Sequence, residues 1–350
     1  MARVAWGIMG DSRGHLTRAL VMAGALSRHE LLFVGGGCVD ELAALGHRVL
    51  KIPMPTTYLR DGRVLYGRTV AQIAGCVLGG GRVRGPLVRE LERFGADCAV
   101  SDYEYFLPRA ARVMGLPSLG FDHQHVLTNC QVENPPGNLV AGMVMRGVVR
   151  HLFSVPKRYF VLSFFPAKPL SSSTRLLPPV LRPDVIPLAP HAGAHIVAYY
   201  RAGTPAGLLE ALCSTGREVR LYGQGKRPSA GNVRFRAPDR GAFLEDLAGC
   251  AYVAATGGHN LICEALQLGK PVLAAAPMFF EQDVNAWNMR RMGLGDSAHG
   301  WPSMGALVRD FEARREVYAQ AAATVDVNGN VRVTAALEEF IAGQGESLRG

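Results

Sequence analysis

The stretch ATGGHNLICEALQLGKPVLAAAPMFFEQDVNAWNMRRMG, residues 255–293, carries the clearest structural signature of the 350-residue chain. It ends an apolar run and continues as a glycine turn, a helical pattern, a second apolar run that ends at Pro277, and another helical pattern. A strand, a helix and a further strand in this order are typical of a βαβ unit, whose strands lie parallel in one sheet. The stretch therefore predicts an α/β domain with a parallel sheet.

The same alternation extends outwards in both directions. Helices are expected near residues 15–27, 68–93, 104–114, 205–215, 241–248, 259–268 and 283–292, followed by two closing helical patterns over 304–325 and 330–343. The expected strands are RVAWGIM, ELLFVGG, RVLKIP, CAVSD, PSLGF and RYFVLSFF in the first half, and HIVAYY, EVRLYG, NVRFRA, AYVAAT and PVLAAAP in the second. Such alternation indicates parallel sheets, and a chain of this length commonly forms two domains. We therefore predict two Rossmann-like units.

A segment rich in proline and serine, residues 166–194, separates the two alternating regions. Proline interrupts helices and central strands, so this segment is expected to be a linker. The prediction is an N-terminal domain over 1–165 and a C-terminal domain over 195–329, with a final helix at about 330–345 that packs back on the first domain. Open α/β domains bind ligands beyond the carboxyl ends of their strands, which favours a site in the cleft between the domains.

Composition indicates a globular protein of a reducing compartment. Apolar residues make up 48% of the chain and charged residues 19%, and the seven cysteines are odd in number and contain no CxxC pair. This pattern fits neither a disulfide framework nor a zinc ribbon, and it favours the cytoplasm. The N-terminus lacks the pattern of a signal peptide. The most apolar segment, residues 139–165, is interrupted by Arg146, Arg150, Lys157 and Arg158, so no membrane span is expected.

The formal net charge of +9 suggests an anionic partner. Nucleic acid is disfavoured because the arginines are spread along the chain and no nucleic-acid motif is present. An anionic lipid surface, reached through residues 139–158, and a phosphorylated substrate remain open. For residues 139–158 the alternative is an ordinary solvated helix, and for the charge it is a basic surface without a specific partner.

A turn with unusual chemistry follows the first predicted strand: GDSRGHLTR, residues 10–18. Gly10 and Gly14 allow a tight turn and a close approach to a ligand, and Ser12 is expected to cap the following helix, whose N-terminus attracts anions. The turn is neither a GxGxxG dinucleotide fingerprint nor a P-loop. Its histidine, His15, is a candidate for proton transfer.

Residues 255–293 also carry candidate ligand contacts. Glu264, inside the first helix of this stretch, can accept hydrogen bonds from paired ribose hydroxyls. Glu281 and Gln282, at the start of its second helix, suit the hydroxyls of a sugar ring. Hydroxyl and backbone N–H groups at a helix start suit a diphosphate, and the predicted cradle consists of Thr256, Gly257, Gly258 and His259.

These motifs resemble those of a known family. The order GG, helix glutamate, GKP, proline-ended strand and EQ…NA resembles the nucleotide-sugar motif of GT-B glycosyltransferases, and GDSRGHLTRAL is similar to their N-terminal glycine-histidine turn. That superfamily includes the peptidoglycan N-acetylglucosaminyltransferase and the diacylglycerol glycosyltransferases. Residues 101–125 are similar to a bacterial and archaeal family-28-like group with an Asp-x-Gln-His signature. The resemblance spans most of the chain and implies an α/β GT-B fold, two Rossmann-like domains facing across a cleft.

The resemblance also implies a reaction. A sugar, hexosyl or N-acetylhexosaminyl, passes with inversion from a nucleotide sugar, UDP-linked by analogy, to an acceptor hydroxyl of a lipid-linked or cell-envelope glycan. The nucleotide sugar is a co-substrate, and no cofactor or bound metal is implied. The enzyme would be cytoplasmic, with a peripheral position on the inner face of the membrane as an option. The first turn departs from the family, because GDSRGH replaces a longer glycine-rich loop and leaves the contacts to an acceptor phosphate open.

Residue roles follow from the same resemblance. His15 is the expected base, and Asp102 and Asp122, at the ends of two predicted strands, are the candidates to orient it. On the donor side, Arg201 is expected to reach the diphosphate, and the backbone near Arg236 and Ala237 is expected to bind the base. On the acceptor side, the expected contacts are Gly14, Glu104, His123, Gln124 and His125.

Several alternatives stay open at this point. His15 could only cap or pack its turn, and Asp102 and Glu104 could cap the following helix. A metal on Asp122, His123 and His125 is disfavoured because no further spaced His/Cys pair completes a site. Two other functions share the architecture, a nucleotide-sugar 2-epimerase and a catalytically inert nucleotide-sugar-binding subunit, and only the first of these releases a free sugar epimer.

Overall fold

The computed structural model describes residues 1–11, 13–56, 58–60, 63–201 and 203–347. Within these residues, the strands of the first half are β1 Arg3–Ile8, β2 Glu30–Gly35, β3 Arg48–Lys51, β4 Leu59–Arg60, β5 Arg63–Val64, β6 Cys98–Asp102, β7 Ser118–Asp122, β8 Cys130–Gln131, β9 Arg158–Leu162, β10 Lys168–Pro169 and β11 Thr174–Leu177. The helices are α1 Arg13–Ala25, α2 Asp40–Ala44, α3 Tyr66–Leu78, α4 Gly80–Phe94, α5 Leu107–Met114, α6 Val126–Asn129 and α7 Leu139–Val148, with a 3₁₀ turn at Gly37–Val39 and a π-helical turn at Val149–Phe153.

Seven parallel strands form the first sheet, in the order β11-β9-β7-β6-β1-β2-β3. The central strands β1, β6 and β7 are buried over most of their length because helices cover both faces of a parallel sheet. Trp6 of β1 is completely buried and meets the ring of Phe121 edge to face at 5.3 Å. Two short antiparallel pairs, β4-β5 and β8-β10, lie outside this sheet.

The second half contains a six-stranded parallel sheet. Its strands are β12 Ile196–Tyr199, β13 Val219–Tyr222, β14 Val233–Phe235, β15 Tyr252–Ala255, β16 Val272–Ala274 and β17 Gly295–Ser297, in the order β14-β13-β12-β15-β16-β17. Its helices are α8 Leu208–Cys213, α9 Arg240–Gly249, α10 His259–Gln267, α11 Phe280–Arg291, α12 Met304–Ala322 and α13 Asn330–Ser347. The prediction of two Rossmann-like α/β units is confirmed.

Three local features differ from the sequence-based expectation. The helix expected over 68–93 is two helices, which meet at Gly79. The segment expected to be a linker contributes β11, which pairs with β9 at the edge of the first sheet. An edge strand tolerates proline nearby because only one of its sides needs partners, and Pro178 directly follows β11. The short strand β17, sequence GDS, carries no apolar pattern and was not predicted.

The two halves share apolar contacts as well as chain connections. Helix α13 packs on the first half, where Val333, Leu337 and Ile341 join the core around Trp6. A second apolar cluster contains residues of both halves, including Tyr159 of β9 and Ile262 of α10. Among the described residues, no helix has the length and apolar character to cross a membrane.

Candidate active site

The carboxyl ends of β1 and β6 bring His15 and Asp102 together. The strands are neighbours in the first sheet, and Ile8, the last residue of β1, pairs with Asp102. His15 lies in the first turn of α1, and its Nδ1 atom is 2.7 Å from Oδ1 of Asp102. Both side chains are buried. Because a carboxylate only accepts, this contact favours the imidazole proton on Nδ1 and leaves the lone pair on Nε2. Ser12, the expected cap of α1, lies outside the described residues.

A third group, Arg18, completes this buried cluster. Its Nε donates to Oδ2 of Asp102 at 2.8 Å, and its Nη2 donates to Oδ1 at 2.5 Å and lies 3.0 Å from Nδ1 of His15. Burial disfavours the charged guanidinium, but the Asp102 carboxylate outweighs burial and raises the pKa of Arg18. The two-pronged contact holds the carboxylate in one orientation beneath the imidazole.

A second carboxylate and histidine pair stands at the end of the adjacent strand, β7. Oδ2 of Asp122 is 2.7 Å from Nδ1 of His125, and Oδ1 accepts from the backbone N–H of His125 at 2.8 Å. Burial acts to raise the pKa of Asp122, but the charge and hydrogen bonds of His125 outweigh it and lower the pKa. Within the described part of the chain, Nε2 of His125 is buried without a hydrogen-bond partner.

The ring of Tyr103 lies between the two pairs. Its centroid is 6.4 Å from that of His15, in parallel orientation, and 6.1 Å from that of His125. The residue has a φ of 56°, in the left-handed region that side chains other than glycine rarely adopt. Burial raises the pKa of the Tyr103 hydroxyl, and the carboxylates of Asp122 and Glu281 raise it further.

Glu104 caps the start of the following helix, α5. Its two carboxylate oxygens accept from the backbone N–H groups of Phe106 and Leu107, at 2.9 and 2.5 Å, at the start of α5. Burial raises its pKa to about 7, although the backbone N–H groups act in the opposite direction. A contact of Glu104 with an acceptor stays a prediction. Gln124, expected on the acceptor side, has its Oε1 buried without a partner among the described residues.

The glycine turn of the second half links β15 to α10 through Thr256, Gly257 and Gly258. Gly257 has a φ of 91°, and a Cβ atom there would lie 2.6 Å from the backbone oxygen of Gln282, so the turn packs closely on α11. Helix α10 begins at His259, and no side chain among the described residues caps it. Its first N–H groups are therefore available to an anion.

Glu264 lies buried within α10, where Arg182 contacts it. The Nη2 atom of Arg182 donates to Oε2 of Glu264 at 2.7 Å. Burial raises the pKa of Glu264, and the charge of Arg182 acts against that increase. Arg182 belongs to the segment expected to be a linker, so this segment fixes the orientation of a predicted donor contact.

The two halves meet at a polar junction. His123, next to Asp122, places Nε2 2.7 Å from Oδ1 of Asn285 on α11 and 3.5 Å from Oε1 of Glu281, and its ring stacks on that of His259 with centroids 3.9 Å apart. The backbone oxygen of Gly14 accepts from Nδ2 of Asn260 at 3.3 Å. The predicted residues of the first turn, the DHQH segment and the donor motif are thereby brought together.

Three donor-side predictions lie apart from this junction. Arg201 and Ala237 are exposed after β12 and β14, and no described contact joins them to the junction. Arg236 binds Asp246 through both Nε and Nη2, at 2.9 and 3.0 Å. Gln282, by contrast, lies next to Glu281 on α11, and its Oε1 accepts from the backbone N–H of Met278 at 2.9 Å. Across the described residues, no group of three or more histidine, cysteine and acidic side chains could hold a metal ion.

Sequence reasoning missed several members of this site: Arg18, Tyr103, Arg182, Asn260 and Asn285. Arg18 could have been predicted from the sequence, because it follows His15 by three residues and so lies on the same face of α1. Tyr103 and Arg182 could not, since backbone strain and long-range ion pairs leave no local pattern.

Comparisons with known proteins agree with this architecture. The chain is similar in structure to the glycosyltransferase SnogD from Streptomyces nogalater, with a TM-score of 0.62, 18% identity and coverage of 97% of this chain and 100% of that one. It is also similar to the glycotransferase of kitacinnamycin (TM-score 0.66, 16% identity, 97% and 98% covered) and to Acinetobacter baumannii MurG (TM-score 0.62, 15% identity, 97% and 100% covered). A fourth similar structure is VinC in complex with DTDP (TM-score 0.60, 17% identity, 99% and 100% covered).

These likenesses establish the GT-B fold that the motifs predicted. A search of curated protein sequences finds no match. The family model described as glycosyl transferase family 1 matches residues 2–314, most of the chain. Both parallel sheets and residues 255–293 lie inside that match, and the chain belongs to glycosyl transferase family 1.

Proposed function

We propose that this glycosyltransferase moves a sugar from a UDP-linked donor to an acceptor hydroxyl, with inversion at the anomeric carbon. The observation that carries the proposal is the buried contact between His15 and Asp102, which leaves Nε2 free to take a proton. The acceptor hydroxyl gives its proton to Nε2, and its oxygen forms a bond to the anomeric carbon. The bond from that carbon to the diphosphate oxygen breaks on the opposite side, so the configuration inverts.

The donor is proposed to lie on the second half. The turn at Thr256, Gly257 and Gly258 and the uncapped start of α10 suit the diphosphate, because unpaired backbone N–H groups at a helix start attract anions. Glu264 would accept from the ribose hydroxyls, while Glu281 and Gln282 would hold the sugar. Arg201 would reach the diphosphate and the backbone at Ala237 the base. A structure of VinC contains DTDP, so thymine is the alternative base.

The acceptor is proposed to approach along the first half. Oε1 of Gln124 and Nε2 of His125 are buried polar atoms without partners among the described residues, and a hydroxylated acceptor could satisfy them. Helix α7 supports a lipid-linked acceptor at an anionic membrane surface on the cytoplasmic side. It exposes more than 60% of each of four apolar residues, Leu139, Val140, Met143 and Val144. Arg150, His151, Lys157 and Arg158 are exposed directly after it.

Thermal stabilisation by a panel of nucleotide sugars tests the donor assignment. A ligand that binds the folded state raises the melting temperature by mass action. We expect UDP-sugars to stabilise the protein more than GDP-sugars. Greater stabilisation by dTDP-sugars than by UDP-sugars would favour thymine as the base. Incubation with the stabilising donor alone then tests for a 2-epimerase, which would release a free sugar epimer and UDP. Incubation with that donor and a panel of acceptors tests for an inert subunit, which would bind the donor without turnover on any acceptor.

A further inference from the structure

Both ring nitrogens of His123 face hydrogen-bond acceptors. Nδ1 lies 2.6 Å from the backbone oxygen of Leu162, and a carbonyl oxygen can only accept. Nε2 lies 2.7 Å from Oδ1 of Asn285. A neutral imidazole carries one N–H group and can satisfy only one of these contacts.

The orientation of the Asn285 amide is fixed independently. Its Nδ2 donates to the backbone oxygen of Gly257 at 3.1 Å and to Oε1 of Glu281 at 2.7 Å. A flipped amide would place its oxygen against two other acceptors, so Oδ1 must face His123. The hydrogen-bond network therefore requires protons on both nitrogens of a histidine that is 2% exposed.

The surroundings suit a buried positive charge. The Glu281 carboxylate is 3.5 Å from Nε2 of His123, and Asp122 precedes His123 in the chain. His259 stacks on the ring from α10, and burial, followed by the charges of His123 and Arg18, lowers the pKa of His259 well below its usual value. The ring of His259 is therefore neutral, and the charge of Arg18 also acts on it.

We propose that His123 is a positioning residue that carries a positive charge and, through Asn285, holds Glu281 and the Gly257 turn of the second half against the first half. The charge makes one continuous chain of hydrogen bonds from the Leu162 backbone to the donor motif. In this proposal both nitrogens of His123 bind groups of the protein. Neither is then free to contact the acceptor, which was the role expected from the sequence. The catalytic consequence, correct placement of the sugar by Glu281, rests on the proposed function, whereas the protonation state does not.

The protonation state is tested by long-range ¹H–¹⁵N correlation spectra of protein labelled at histidine, with His123→Gln used to assign the signals. We expect two protonated nitrogens for His123 at pH 7. A neutral tautomer at pH 7 overturns the proposal whatever the protein binds.

The positioning role is tested by calorimetric titration with the stabilising nucleotide sugar and, separately, with its nucleoside diphosphate. His123→Gln should weaken binding of the nucleotide sugar by roughly 10-fold, the scale of one hydrogen bond to a charged group. Binding of the diphosphate, which depends on the Gly257 turn but not on Glu281, should weaken by less. His47→Gln, at a half-buried histidine of the same half whose ring contacts Phe33, is the matched control. Equal loss for both ligands would contradict the role assigned to Glu281, and unchanged sugar binding would remove His123 from donor positioning. If no nucleotide sugar binds the wild type, the proposed function fails and the spectra still decide the charge.

Discussion

The two halves of the site hold their carboxylates with different partners. In the first half, Asp102 and Asp122 each contact a histidine, whereas Glu264 in the second half contacts an arginine, and Glu281 accepts from the side-chain amide of Asn285. Imidazole exchanges protons near neutral pH, while guanidinium and amide groups keep theirs. The first half is thus suited to proton transfer and the second half to binding.

The two histidine pairs of the first half are themselves unequal. Asp102 shares its charge with Arg18, while Asp122 has no such direct contact with an arginine among the described residues. The guanidinium fixes the Asp102 carboxylate and so fixes the imidazole of His15. Nε2 of His125, by contrast, is buried without a partner. A rigid pair suits a base, and an unsatisfied one suits a contact to a substrate hydroxyl.

The largest expected effect is on turnover when His15 is replaced. His15→Ala should lower single-turnover sugar transfer by roughly 100-fold or more, the usual scale for loss of a general base. UDP affinity should stay close to wild type because the nucleotide is bound by the other half. His125→Ala, the matched change in the second pair, should reduce turnover by less than roughly 10-fold, because it removes one substrate hydrogen bond.

His15→Gln separates a base from a structural cap. Glutamine keeps the size and some hydrogen bonding of the imidazole, so the melting temperature should recover while turnover stays low. Near-normal turnover in His15→Gln would overturn the base assignment and move the search to Asp102, Glu104 and Asp122. A larger loss in His125→Ala than in His15→Ala would exchange the roles of the two pairs.

The second prediction concerns the binding half. Glu264→Ala should weaken UDP binding by roughly 1.5 to 3 kcal/mol if the carboxylate accepts from the ribose hydroxyls. Isothermal titration calorimetry measures this directly. Glu312→Ala is the control, since Glu312 also pairs with an arginine, Arg217, in the second half. Equal UDP affinity in the folded Glu264→Ala and Glu312→Ala variants would remove Glu264 from the donor site.

The carboxyl groups of the first half predict opposite pH effects on stability. The lowered pKa of Asp122 contributes stability at neutral pH that is lost as pH falls through the acid range. Glu104, with its pKa raised from 4.5 to about 7, binds its proton more tightly when folded, so it removes stability as pH rises between those values.

Urea unfolding between pH 2 and pH 8 measures both effects, because the contribution of Asp122 is lost below the ordinary pKa of an aspartate. Asp122→Asn should flatten the acid side of the profile, and Glu104→Gln should raise stability at pH 8 relative to pH 5 by roughly 1 to 2 kcal/mol compared with wild type. Parallel profiles for wild type and Glu104→Gln would show that folding does not raise the pKa of the Glu104 carboxyl.

The sequence predicted the parts of this molecule that repeat or that follow a strand. Apolar runs alternating with helical patterns were sufficient for both sheets, because parallel strands are buried on both faces. The convergence of His15, Asp102 and Asp122 followed from their positions at strand ends. Partners of these groups were harder to predict: Arg182 meets Glu264 across 82 positions of the chain, and Asn285 meets His123 across 162. Such contacts depend on how the halves pack, which no local pattern records.

The smallest expected effect concerns α7, the exposed part of the first half. If α7 docks on a membrane, binding to vesicles containing anionic lipid should fall steeply with ionic strength. Replacing Leu139 and Met143, which are 63% and 66% exposed, by serine should weaken vesicle binding by roughly 10-fold at low salt, since both side chains would leave the lipid. Val317→Ser, at an apolar residue of α12 that is 64% exposed, is the matched control and should bind like wild type.

Cosedimentation with vesicles measures all three proteins. Equal binding by the α7 variant and wild type would place the contact elsewhere, and no binding at low salt would leave α7 as a solvated helix that approaches the acceptor without a membrane.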